Sequence, residues 1–318
     1  YPLNEDCLII DVGSNDGTLL KCFKDFGYHN ILGVDPVNDI AKEATQNGIP
    51  TITGYMNQET TDRILKEYGK ADLVTAFNVY AHADDLSAMT QAIKNVLHIQ
   101  GIFVFEVSYL LDVVQKMLIG TIFHEHLSYH SVKSIKQFLE LNELELIHVE
   151  RNPEQGGSII GYVNYENALH KKKESVDLLL KTEKEFKLDK LETMKNLYNN
   201  LELVKNQVIA LIADIKENKK SIAAYGAARS GTTLLSYFKI GKELKFIVDD
   251  NSKKHFKYSP GDKIQVLPKE TIYNQKPDYL LILAWMHADS IIKNNPEYMK
   301  RGGKFIRLFP KVEIISNE

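Results

Sequence analysis

Cysteine is nearly missing. Cys7 and Cys22 are the only two among 318 residues. That is too few for a disulfide-stapled secreted scaffold, and alone they cannot form the tetrahedral ligand set of a zinc site. The expected setting is reducing and cytoplasmic. No apolar run reaches the roughly 18 residues that a membrane helix requires, and no secretory signal is read at the amino terminus, so no membrane partner is expected. A surplus of either charge is missing too: 39 Lys and Arg stand against 42 Asp and Glu, a net charge of -3. This excludes the broad basic surface by which nucleic acid is held. What is present is a hydrophobic fraction of 44% with 9% aromatics. Those values suit a soluble globular protein with well-filled cores, and the length allows about two domains. A small-molecule substrate is expected, with the chain a monomer or a homodimer.

The chain is organised around Leu8-Ile9-Ile10-Asp11-Val12-Gly13-Ser14-Asn15-Asp16-Gly17-Thr18-Leu19-Leu20. Leu8 to Val12 reads as a buried parallel strand. Gly13 to Gly17 is small, polar and turn-forming, and Thr18 opens a helical pattern with Leu19, Leu20 and Phe23. Strand, glycine loop and helix bring backbone amides close to a nucleotide. The next strand, Ile31 to Val34, ends in Asp35, placed for ribose hydroxyls. The loop is not a plain dinucleotide fingerprint, because Asp11 precedes the first glycine. A carboxylate there repels a pyrophosphate and suits a cationic ligand such as S-adenosylmethionine, with its ammonium group. On the loop alone, an empty glycine turn and a nicotinamide dinucleotide site remain as alternatives.

Further along, Ala71 to Phe77 reads as the fourth strand. It delivers Asn78, Tyr80 and His82 to the carboxyl-end face, where ligands of open α/β sheets bind. Each also has a plainer reading as a cap or packing residue. The strand Gly101 to Val107 follows. Then comes Thr121-Ile122-Phe123-His124-Glu125-His126-Leu127-Ser128-Tyr129, with two histidines flanking an acid. An H-x-H pair without a third nearby ligand is a weak metal signal. A histidine acting as general base beside an acid is favoured over metal binding, since imidazole titrates near neutral pH. Leu144 to Val149 and Ser158 to Tyr165 read as two closing strands, joined by a turn containing Gly156-Gly157 that permits a tight bend or close approach of a substrate.

The segment from Leu169 to Asn218 is charged and helical, with a break at Leu188 to Lys190. A second α/β lobe then opens at Ser221. Its strand Ile222 to Tyr225 enters Gly226-Ala227-Ala228-Arg229, the next helix begins, and Lys245 to Val248 ends in Asp249-Asp250. The opening layout is thereby repeated. A phosphate at the helix start, near Arg229, and a degenerate scaffold are both open readings.

Six stretches in order resemble one family, the sugar C-methyltransferases that act on nucleotide-linked deoxysugars. They are Val12 to Gly17, Asn78-Val79-Tyr80-Ala81-His82, Phe105 to Leu110, His124 to Tyr129, Gly156-Gly157-Ser158 and Tyr225 to Gly231. The resemblance runs from about residue 8 to the end. It implies a Rossmann-like class I methyltransferase domain (1–167), a helical linker (168–219) and a second Rossmann-like α/β domain on the substrate side (220–318), with substrate in the cleft between. The family usually carries an amino-terminal cysteine-rich zinc module, which is expected to be lacking here, by removal or by loss, in a chain that starts at Tyr1. Phe123 stands where the family commonly has tyrosine, and Ile160-Gly161 where it commonly has arginine.

The activity implied is S-adenosylmethionine-dependent C-methylation of a nucleotide-linked 4-ketosugar, with no metal. Asp11, Gly13, Ser14, Asn15, Gly17, Asp35 and Asn78 are the expected cofactor residues. His126 is the expected base, with Glu125 orienting it, and Tyr80, His82 or His124 donating to an enolate oxygen. Phe123, Tyr129, Gly156, Gly157, Gly226 and Arg229 are the expected substrate contacts. An O- or N-methyltransferase, a non-catalytic sugar-nucleotide or cofactor binder, and a nicotinamide oxidoreductase using the second lobe are the alternatives.

Overall fold

The structure is a computed structural model that describes residues 3–317. Tyr1, Pro2 and Glu318, the outer ends of the two domains expected from sequence, lie outside the described residues. The chain divides into two compact units. One comprises Tyr1–Leu111 with His124–Asp189, and the other Asp112–Phe123 with Lys190–Glu318.

The first unit alternates strands and helices from its amino end. These are β1 (Ile9–Val12), α1 (Thr18–Asp25), β2 (Ile31–Asp35), α2 (Asn38–Gln46), β3 (Thr51–Thr53), α3 (Gln58–Glu67), β4 (Ala71–Phe77), α4 (Leu86–Val96) and β5 (Leu97–Ser108). Helix α5 (Leu110–Gln115) contains the division between units, and α6 (Val132–Leu141), β6 (Leu144–Asn152), β7 (Ser158–Tyr165) and α7 (Glu174–Phe186) return to the first. The strands form one sheet in the order β3-β2-β1-β4-β5-β7-β6. The first five are parallel, whereas β7 runs antiparallel to both β5 and β6. All four residues of β1 and all five of β2 are buried, as strands covered by helices on both faces must be. Ile9, Leu20, Ile31, Ala44, Leu73, Ile102 and Ile147 share one core.

In the second unit, α8 (Leu191–Glu217) precedes β8 (Ile222–Tyr225), α9 (Arg229–Phe238), β9 (Ile247–Asp249), β10 (Val266–Pro268), α10 (Thr271–Gln275) and β11 (Tyr279–Ile282). Helices α11 (Ala288–Asn294) and α12 (Pro296–Lys300) and strands β12 (Lys304–Arg307) and β13 (Glu313–Ile315) complete it. The sheet order is β10-β9-β8-β11-β12-β13, with only β13 antiparallel. Strand order thus reverses between β8 and β11, the place where such sheets bind ligands.

The expected linker at 168–219 is not a separate layer. Helix α7 is held in the first unit by Glu183. This buried carboxylate accepts from the hydroxyl of Tyr109 at 2.9 Å and from the first amides of α6, Val132 at 2.6 Å and Lys133 at 3.1 Å. It thereby satisfies two donors that a helix start leaves unpaired. Helix α8 instead buries Leu201, Val204, Val208, Ile212 and Ile215 in the second unit's core. Those positions recur every three or four residues and form one helix face. Residues 112–123 also belong to the second unit, where Ile119 joins the same core. A Cβ on Gly120 would lie 2.3 Å from Cβ of Ser230, so only glycine fits that approach.

Candidate active site

The cofactor end of the first unit follows from the parallel sheet. The amides of Gly13 and Ser14 donate to the carbonyl of Val34 at 2.7 and 3.2 Å, tying the loop after β1 to β2. Asp35, at the tip of β2, accepts from the Asn15 amide at 2.9 Å and from the Val37 amide at 2.9 Å. It therefore organises the loop. Gly13 and Gly17 have φ of 72° and 81°, and Asn15 has φ of 51°. These left-handed conformations suit glycine and asparagine. A Cβ on Gly13 would come within 2.3 Å of a Val79 methyl. Ser14 Oγ is buried and has no hydrogen-bond partner among the described residues.

Asp11 lies inside β1 and is 4% exposed. Its Oδ1 accepts from the Thr75 hydroxyl on β4 at 2.6 Å. Burial raises its pKa to about 7; the Thr75 bond opposes the shift and the nearby Asp35 adds to it. Burial and the second carboxylate both favour its neutral form, and a cation beside it would favour the ionised one.

A cavity of about 560 Å³ opens beside this loop. Val12, Gly13, Val34 and Pro36 line one side, Gly54 to Asn57 another, and Val79, His82, Asp84 and Asp85 the rest. The residues after β3 and the two acids before α4 were not picked out in the sequence. Their signal is position alone, since each group follows the carboxyl end of a strand.

The residues after β4 behave differently from one another. Asn78 takes φ of 57°, and the next residues form a 3₁₀ turn, Tyr80–His82. Such a turn advances about 120° per residue, so Tyr80 and His82 point to different sides. The expected catalytic role of Tyr80 is corrected here. It is fully buried, its hydroxyl is hydrogen-bonded to Thr90, and its ring stacks on Phe105 at 5.5 Å. Burial pushes its phenol well above the ordinary range, so Tyr80 is a core residue.

His82 lines the cavity, and its ring meets His126 edge-on at 5.0 Å. The backbone explains the meeting: the amide of Leu127 donates to the carbonyl of Ala81 at 2.9 Å, pinning the 124–131 loop to the turn. Further along that loop, the Leu110 amide donates to the carbonyl of His130 at 2.9 Å. His130 itself is buried, bonded to Ser128 at 2.9 Å, and held neutral by burial that lowers its pKa to about 4. Tyr129 lies 6.2 Å from His126, ring to ring. His124 is 88% exposed, with its Nε2 3.9 Å from a Glu125 oxygen. Among the described residues no group of three or more His, Cys, Asp or Glu is placed to hold a metal ion.

The glycine pair lies at the tip of the β6–β7 hairpin, with φ of 90° at Gly156 and 147° at Gly157. The Gly157 carbonyl accepts from the Tyr109 amide at 3.2 Å, securing the tip to the end of β5. Phe123 and Arg229 both belong to the second unit, where the Arg229 guanidinium sits 4.8 Å from the Phe123 ring centre. Gly226, with φ of 98°, opens the loop after β8. There Asp249 repeats the clamp made by Asp35, accepting from the Ala227 amide at 2.7 Å and the Asn251 amide at 2.8 Å. A cavity of about 240 Å³ beside this loop is lined by Gly226, Ala227, Ala228, Lys253, Lys254 and Lys257.

A sheet of this order, with a glycine loop, an acid at each of the first two strands and an unsatisfied serine hydroxyl, defines a Rossmann-like methyltransferase whose cofactor is S-adenosylmethionine. The methyltransferase domain family matches residues 3–149, and the C-methyltransferase C-terminal domain family matches residues 153–310. The C-methyltransferase NovU of Streptomyces niveus is 31% identical over 317 residues, covering 99% of this chain and 75% of that protein. The chain belongs to the C-methyltransferase family. Among solved structures, the magnesium protoporphyrin IX methyltransferase of Synechocystis PCC 6803 with bound SAH is 18% identical, covers 50% of this chain and 74% of its own, and has a TM-score of 0.39. A SAM-dependent methyltransferase from Anabaena variabilis is 14% identical, covers 52% and 79%, and has a TM-score of 0.42.

Proposed function

We propose that this enzyme methylates a carbon next to the ketone of a nucleotide-linked 4-ketosugar, with His126 as general base. One observation carries the reading: His126 packs against His82, and His82 lines the cavity beside the cofactor loop. Carbon becomes a nucleophile only after losing a proton, so a C-methyltransferase needs a base within reach of its methyl donor. The residues present fit that donor, since Ser14 Oγ is buried and unsatisfied and the Gly13 backbone leaves no room for a side chain. Asp11, Ser14, Asn15, Asp35 and Asn78 hold it, and when bound it supplies an electrophilic methyl on a sulfonium centre.

His126 removes the proton from C3, and the electron pair delocalises onto the ketone oxygen. His82 donates to that oxygen, in a hydrogen bond that strengthens as charge develops there. Glu125 orients the base or binds the sugar. Gly156 and Gly157 let backbone approach the sugar.

The test incubates the enzyme with S-adenosylmethionine and a panel of nucleotide-linked 4-ketosugars in deuterated water. A new C-methyl by NMR is the expected result, with deuterium entering C3 of substrate recovered unmethylated from the wild type and not from His126→Ala. An O-methyl product, or near-normal turnover by His126→Ala with both ligands bound, overturns the proposal.

A further inference from the structure

Glu106 is an acid in the interior of the first unit to which no role was given by sequence. It sits near the carboxyl end of β5, opposite Phe77 of β4 on one side and Ile160 of β7 on the other, and is 8% exposed. Three side chains from three places converge on its carboxylate. Oε1 accepts from Asn152 Nδ2 at 2.9 Å and from the Ser158 hydroxyl. Oε2 accepts from Asn78 Nδ2 at 3.4 Å. The main chain of Glu106 also holds Asn78, whose amide donates to its carbonyl at 3.0 Å. Asn152 and Ser158 face each other across the β6–β7 hairpin. One residue therefore joins the end of the cofactor strand β4 to the hairpin that carries Gly156-Gly157.

We infer that Glu106 is a positioning residue that fixes the amide of Asn78 in one orientation, with its carbonyl oxygen turned to a cationic cofactor. The chemistry is in the donor count. A carboxylate only accepts, so the edge of Asn78 facing Glu106 must be its NH₂ group. Oδ1 is then the edge turned away, and an amide oxygen suits an ammonium or a sulfonium where an NH₂ group would repel it. The left-handed backbone at Asn78, φ 57°, aims this side chain and is a conformation that asparagine, aspartate and glycine adopt most readily. The inference rests on the reading of Asn78 as a cofactor contact.

The division of labour between the two carboxylate oxygens makes Glu106→Gln a selective probe. An Oε1 left in place still accepts from Asn152 and Ser158, so the hairpin keeps its anchor. The new NH₂ group replaces Oε2 and faces the donor of Asn78, which must flip or withdraw. Adding Asn78→Asp restores a donor–acceptor match at this contact and again turns an oxygen to the cofactor.

The experiment measures the KM and calorimetric Kd for S-adenosylmethionine, and the acceptor KM, in four variants: Glu106→Gln, Asn78→Asp, their combination and Asn78→Gly. Glycine is chosen because it removes the amide without backbone strain. Glu106→Gln is expected to raise cofactor KM and Kd about tenfold, the scale of one charge-linked hydrogen bond. The acceptor KM and thermal midpoint are expected to stay near wild type, and the double variant is expected to recover most of the loss. A purely structural role would lower the thermal midpoint and would not be rescued by Asn78→Asp. Normal cofactor affinity in Glu106→Gln, with Asn78→Gly impaired, overturns the inference alone. So does a loss that the double variant fails to recover. Unchanged affinity in Asn78→Gly overturns the reading of Asn78 itself.

Discussion

Replacing Asp11 by asparagine tests how the cofactor end of the first unit uses a buried charge. The side chain is 4% exposed, and its carboxyl pKa is raised from 3.8 to about 7, mainly by burial. An acid whose pKa is higher in the folded state than in the unfolded chain favours folding only while protonated. Its contribution is fullest below pH 3.8 and is lost as pH rises through about 7. Between about pH 5.5 and 8 the loss from this one group works out at about 2 kcal/mol, taking about 1.4 kcal/mol per pH unit while the unfolded chain is ionised and the folded one is not. The Asp11→Asn change is isosteric and retains an oxygen to accept from Thr75. Urea unfolding of the ligand-free enzyme at the two pH values should show wild type weakening by that amount relative to the variant. Cofactor affinity should move the other way in wild type, rising with pH as Asp11 ionises to meet the cation, and this dependence should vanish in Asp11→Asn. A stability gap between the two proteins that is the same at both pH values would refute the reasoning.

Two other substitutions separate packing from chemistry. Tyr80→Phe removes a buried hydroxyl bonded to Thr90, whose own hydroxyl also donates to the carbonyl of Leu86 at 2.7 Å. It should lower unfolding stability by about 1 kcal/mol and leave kcat within about twofold of wild type, measured by denaturation and by methyl transfer. Gly13→Ala places a Cβ 2.3 Å from a Val79 methyl at a φ of 72°. The left-handed backbone alone costs about 1–2 kcal/mol. Calorimetry should therefore show cofactor affinity weakened by at least about tenfold.

Legibility differed from residue to residue. Strands β1, β2 and β4 and the loop at Gly13 to Gly17 were readable because continuous apolar runs and small polar residues are local signals. A break at Leu188 to Lys190 was also expected, and α7 ends at Phe186 and α8 starts at Leu191. Tyr80 and His82 looked alike in sequence, two polar aromatic residues after one strand, and only the 3₁₀ turn sent one into the core. Glu106 was invisible as a site residue because its partners Asn78, Asn152 and Ser158 meet only through the neighbouring strands β4, β7 and β6. The segment 112–123 carried no sign that it would join the second unit, since Ile119 and Gly120 find their neighbours in residues far along the chain.

The order of apolar runs, glycine loops and terminal acids thus pointed, by itself, to two α/β sheets of repeated layout and to a first loop that suits a cationic cofactor. Burial period, backbone freedom and charge are properties of a few neighbouring residues, and they survive without a fold. Which acid becomes a clamp, as Asp35 does, which becomes a joint, as Glu106 does, and which histidine meets His126 were decided only by tertiary structure. Those roles depend on strand order and register, which bring together donors and acceptors that the chain itself keeps apart.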